Sequence, residues 1–115
     1  MAINSREKGK KGEREFARLC REHGFANARR GQQYSGIEGK DVVGLDGVHI
    51  EVKRVERLNI EKALQQAERD SKEGEIPIVA HRRNREEWKI TMRAKDWFVL
   101  YRAWREKGDD STFIR

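Results

Sequence analysis

Cysteine is nearly missing from this chain of 115 residues. Cys20 stands alone, which excludes an intrachain disulfide and fits a reducing compartment. Proline is as scarce, with Pro77 the only one, and neither a Pro/Gly/Ser-rich linker nor an internal repeat divides the sequence. One domain over residues 1–115 is therefore expected. No apolar run approaches the roughly 20 residues that cross a bilayer. The N-terminus is too polar for a secretory signal, so a soluble cytoplasmic protein without membrane contact is expected. Apolar residues make up 36% and charged residues 40%, which implies a small core under a densely charged surface.

Positive charge is what the chain has in excess. Lysine and arginine number 26 against 20 acids, a net charge of +6. A small basic domain attracts polyanions, with nucleic acid the first candidate, although a merely well-hydrated surface would carry the same charge.

Along the chain, residues 1–10 are polar and basic and are expected to form a flexible arm. A helix is expected from about Lys11 to His23, where Phe16, Ala17, Leu19 and Cys20 recur at helical spacing and Gly24 supplies the stop. Residues 25–30 can pair as a short strand, and the glycine-rich stretch 31–40 reads as a mobile loop. Two apolar runs then flank Asp46-Gly47, a hairpin signal. A two-residue turn there would set Leu45 near Val48 and Asp41 near Val52. In the second strand Val48, Ile50 and Val52 point one way, and His49, Glu51 and Lys53 the other. Asn59 can cap a second helix with Ile60, Ala63, Leu64 and Ala67 as its apolar stripe. Residues 76–82 read as a buried strand and residues 88–92 as another. Arg82, Arg83 and Arg85 lie between them, either as a phosphate patch or as a solvated turn. Asp96 can cap a last helix carrying Trp97, Leu100, Tyr101 and Trp104, and residues 107–115 form a tail. Helix, strand, hairpin, helix, strand, strand, helix is a pattern for a mixed sheet flanked by helices.

Chemistry gathers on the hairpin. Glu51 and Lys53 emerge on one side of their strand, and the turn brings Asp41 towards them. Carboxylate oxygens and the Val52 carbonyl suit a hard divalent cation such as Mg²⁺. A lysine alongside can orient or deprotonate a water, or balance an arriving phosphate. The combination points to phosphodiester hydrolysis. Glu13 extends the core-facing stripe of the first helix and needs a partner to be buried there. Glu15, about 200° further round, is expected to face solvent. Each element also has an ordinary explanation. Glu51 and Lys53 can be a surface salt-bridge strand, Asp41 loop punctuation, and Glu13 half of a surface pair with Lys10 or an arginine.

Asp41, followed after nine residues by Glu51-Val52-Lys53, resembles the PD-(D/E)xK nuclease signature, with Lys40 in place of its proline. KGEREFARLCREHGF is similar to the opening helix of archaeal-type Holliday junction resolvases, and HIEVKR to their core strand. The later stretches ALQQAERD and IPIVAHRRNREEWKITM look like small phage-encoded members of the same superfamily. The likeness covers roughly residues 9–92. It implies an α/β, restriction-endonuclease-like αβββαβ core and a homodimer that cuts four-way DNA junctions with Mg²⁺, for which Mn²⁺ would substitute. It places the protein on the nucleoid or in the cytoplasm of a phage-infected host. Carried over, Asp41, Glu51 and the Val52 carbonyl bind metal, Glu13 binds directly or through water, and Lys53 acts on the attacking water. Gln66, or its neighbour Gln65, supports the site. Lys8, Lys10, Lys11, Arg14, Arg29, Arg30, Lys40 and Arg54 would contact DNA phosphates, with Ser35 in the mobile loop beside them. A repair, flap or restriction-type nuclease of the same superfamily, or a nucleic-acid-binding module without catalysis, remain the alternatives. The aromatic last helix either packs against a second copy or caps the sheet.

Overall fold

The computed structural model describes residues 5–31 and 40–107. Ser35, most of the glycine-rich loop and the tail beyond Lys107 lie outside them. Helix α1 spans Ser5–Glu22, so the helix begins earlier than its apolar stripe does, and Ser5–Lys10 is not a frayed arm. Lysine, arginine and glutamate dominate that first stretch and are good helix formers. Glu7 also lies in the first turn, where the helix dipole favours an acid. The helix stops as expected at Gly24. The Phe25 amide donates to the Cys20 carbonyl over 3.1 Å and the Gly24 amide to Arg21 over 3.0 Å, a Schellman closure.

The chain is α/β. Strands β1 (Arg29–Arg30), β2 (Val42–Val43), β3 (Val48–Arg54), β4 (Ile76–Arg82) and β5 (Lys89–Thr91) form one sheet in sequential order. All neighbours are antiparallel except β3 and β4, which run parallel from Val48 beside Ile76 to Arg54 beside Arg82. Parallel neighbours need a crossover, and helix α2 (Ile60–Asp70) supplies it. Asn59 caps α2 by accepting the Lys62 amide over 3.0 Å, a contact worth about 1 kcal/mol. One face of the sheet packs Ile50, Val52, Ile78 and Ala80 against Phe16, Ala17 and Cys20 of α1. The other packs Val79 against Ala63, Leu64 and Ala67 of α2. His49 and Glu51 share that second face and are buried. Strand β3 is thus covered on both sides, by α1 on one face and by α2 on the other.

The hairpin is wider than a two-residue turn. Val42 pairs with Ile50, which shifts Asp41 by one residue from the expected place beside Val52. The cause is tertiary. Gly44 has φ +103°, and a Cβ there would lie 2.5 Å from the Asn27 carbonyl oxygen. The chain therefore opens at Gly44 to let the segment before β1 pack against it.

Helix α3 (Ala94–Lys107) follows β5 and buries none of its side chains. It starts two residues before the expected cap, with the Asp96 and Trp97 amides donating to the Arg93 carbonyl. Trp97, Phe98, Val99, Leu100, Tyr101 and Trp104 are each 41–51% exposed. The sheet of this chain is not what they cover. Among the described residues, no helix is long and apolar enough to cross a membrane.

Candidate active site

A cavity of about 350 Å³ opens where the N-terminal half of α1 meets the ends of β2 and β3. Glu13, Asp41, Glu51, Val52, Lys53 and Gln66 all line it. Gly12 allows this approach, because a Cβ there would meet the Arg54 Cβ at 2.9 Å. α1 can therefore lie close on β3, and Glu13, the next residue, reaches over the sheet edge.

Asp41 is held at both ends. Its amide donates to the Ile50 carbonyl over 3.0 Å, and its Oδ2 accepts the Val52 amide over 2.8 Å. Burial, reinforced by the adjacent Glu51 carboxylate, pushes the Asp41 carboxyl up to about 8 against the pull of the Val52 amide. Glu51 is 2% exposed and His49 only 1%, with His49 Nε2 at 3.1 Å from Glu51 Oε1. Burial also raises the Glu13 carboxyl, which Arg30 opposes and Glu51 reinforces. The partner that Glu13 needs is Arg30, whose Nε donates to it over 2.7 Å. Lys53 Nζ donates to Gln66 Oε1 over 3.2 Å. Gln65 turns outward and bonds Glu61 instead, so the glutamine facing the cavity is Gln66.

His49, Glu51 and Asp70 offer ligand atoms that all lie within 4.8 Å of one another, close enough to hold a metal ion. Sequence reasoning missed His49 and Asp70. The available signals were a histidine two residues before Glu51 on the same strand face, and an acid four residues after Gln66 on the same helix face.

The cations expected to contact DNA divide into two groups. Lys8 lines the cavity, Lys11 and Arg14 are exposed, Lys10 pairs loosely with Glu7 at 3.7 Å, and Arg29 is exposed, donating to the Asn27 carbonyl. Arg30, Lys40 and Arg54 are instead engaged inside the fold. Arg30 neutralises Glu13, Lys40 pairs with Glu75, and Arg54 lies 3.0 Å from Glu15. Glu15 also meets Arg82 at 3.3 Å. It is therefore a half-buried tie between α1 and the ends of β3 and β4, not a solvent-facing residue. Arg83 is paired with Glu86, so of Arg82, Arg83 and Arg85 the first two already have acidic partners.

No family model matches the chain, and neither a curated protein nor a solved structure resembles it significantly. The functional reading rests on the residues themselves.

Proposed function

We propose that this protein is a Mg²⁺-dependent endodeoxyribonuclease with a restriction-endonuclease-like core, and that it resolves four-way DNA junctions. One observation carries the reading. Asp41, Glu51 and Lys53, with Glu13 and Gln66, converge on a single cavity in which the Asp41 carboxyl is driven up to about 8 by burial and by Glu51. Two carboxylates buried side by side repel each other unless one is protonated or a cation joins them. Oxygen donors of this kind fit Mg²⁺. Asp41, Glu51 and the Val52 carbonyl would hold it, and Glu13, already engaged by Arg30, would reach it through water. Bound there, Mg²⁺ would polarise the scissile phosphate. Lys53, tethered by Gln66, would orient the attacking water and balance the charge that develops as the P–O bond breaks. The order α1-β1-β2-β3-α2-β4 is compatible with an αβββαβ core.

Paired nicks in a junction need two sites related by a twofold axis. The exposed aromatic residues of α3 support a homodimer, since large apolar side chains clustered at a surface often mark an interface. The test is a panel of four-way junction, flap, single-stranded and duplex DNA, with and without Mg²⁺. Paired nicks confined to the junction support the proposal. Preferential cutting of flaps or duplex moves the protein to a repair or restriction role with the same chemistry. Tight binding without cleavage under any divalent ion leaves only a binding module.

A further inference from the structure

A second cavity, of about 490 Å³, continues from the first along α2 and shares Lys53, Val55 and Gln66 with it. We infer that this groove binds the DNA backbone phosphates adjoining the scissile one, through Arg57, Lys62 and Arg69. The inference rests on the nuclease reading for what occupies the first cavity, but its own support is separate.

Every charged residue of the lining is basic. Lys53, Arg57, Lys62 and Arg69 face it, with Asn59, Gln65 and Gln66 as neutral polar groups, and no carboxylate contributes. Arg30, Lys40, Arg54 and Arg93, by contrast, are each paired with an acid. Arg57, Lys62 and Arg69 have no acidic partner within ion-pair distance among the described residues.

Helix geometry explains the segregation. Lys62 and Arg69 are two turns apart, about 10 Å along one face of α2. Glu61 and Glu68 hold the same spacing on the neighbouring face. Both turn to Arg93, whose Nη1 donates to Glu61 over 2.9 Å and whose Nη2 donates to Glu68 over 3.0 Å. Arg93 thus engages Glu61 and Glu68, two of the three acids of α2, and leaves Lys62 and Arg69 without an acidic partner along the groove that Lys53 also lines. Unpaired guanidinium and ammonium groups in a channel leading from a phosphate-cleaving site are suited to successive phosphates of one backbone.

The test compares three forms of the full chain: the parent, a groove variant (Arg57→Gln, Lys62→Gln, Arg69→Gln) and a control with equal charge loss elsewhere (Lys72→Gln, Arg83→Gln, Lys89→Gln). Affinity for a labelled four-way junction is measured across a salt series in chelator, and cleavage is measured separately with Mg²⁺. Circular dichroism confirms that each variant is folded. The groove variant should bind roughly 10- to 100-fold more weakly, with its log–log salt slope smaller by about 2–3, while the control stays near the parent. Equal affinity and slope in parent and groove variant overturn the inference, as does an equal loss in the control. A parent that binds with the expected groove dependence yet never cuts overturns the nuclease proposal and leaves the groove standing. A parent that does not bind DNA overturns both.

Discussion

The Val52 amide donates to Oδ2 of Asp41 over 2.8 Å, which locks the short strand β2 to β3 and holds two carboxylates, Asp41 and Glu51, together in a buried place. The contact orients Asp41, and the burial that comes with it raises the carboxyl to about 8 from an ordinary 3.8.

That shift ties stability to pH. A carboxyl whose folded pKa is raised favours folding most fully below its unfolded value, and the contribution is lost as pH rises through the folded one. The metal-free protein should therefore lose thermal stability between about pH 4 and about pH 8. Asp41→Asn keeps an acceptor for the Val52 amide and removes the charge. It should flatten the profile and raise the metal-free Tm at pH 8 by about 5 °C, on the order of 1 kcal/mol. Mg²⁺ should stabilise the parent most at the alkaline end and Asp41→Asn hardly at all. Thermal melts across pH, with and without Mg²⁺, check each point.

Lys53 and its tether separate chemistry from support. Lys53→Ala should lower the cleavage rate by ~100-fold or more, in line with loss of a group acting on the reacting atoms. Gln66→Ala should cost about tenfold, since it frees Lys53 without removing it. Gln65→Ala should leave the rate unchanged. Single-turnover cleavage of a junction by the three variants checks the ordering, and equal losses for Gln65 and Gln66 would contradict the orientation of α2.

Gly44→Ala tests the hairpin. A Cβ would meet the Asn27 carbonyl oxygen at 2.5 Å on a residue with φ +103°. Strain and a backbone clash together should cost about 2 kcal/mol or more. Denaturant melts measure this, and a neutral substitution would contradict the observed packing of β1 against the hairpin.

The α3 face predicts association. Trp97 stacks on Tyr101 with ring centroids 5.1 Å apart, and Tyr101 leans on Trp104 at 5.7 Å. Sedimentation should give the mass of two chains. Tyr101→Glu should give one, with folding retained because no α3 side chain is buried within the chain. A monomeric parent would remove the dimer from the proposal.

Much of the fold was legible in the sequence because it is set by local periodicity. The Asn59 cap, the α2 stripe, the Gly24 stop and strand β4 all follow from residues within a turn or two of one another. Less legible was whatever depends on a partner far along the chain. The hairpin register answers to Asn27, which approaches Gly44. Arg30 and Arg54 read as free DNA ligands, yet they neutralise Glu13 and Glu15 of α1 inside the fold. The burial of His49 was not legible because nothing local announces that α2 covers its strand. The convergence of Asp41, Glu51 and Lys53 needed only the hairpin, and it survives the one-residue change in register because Asp41 still lies beside Glu51. Arg57, Lys62 and Arg69 form a groove only once α2 lies against β3, and no spacing rule singles them out from the other cations.

The most direct measurement is the rate of phosphodiester cleavage in a labelled four-way junction by the parent and by Asp41→Asn, with Mg²⁺ and with chelator. The parent should nick opposing strands only when Mg²⁺ is present, and Asp41→Asn should be at least ~100-fold slower. Cleavage by Asp41→Asn at the parent's rate, or by the parent equally well in chelator, would contradict a metal-dependent site built on Asp41, Glu51 and Lys53.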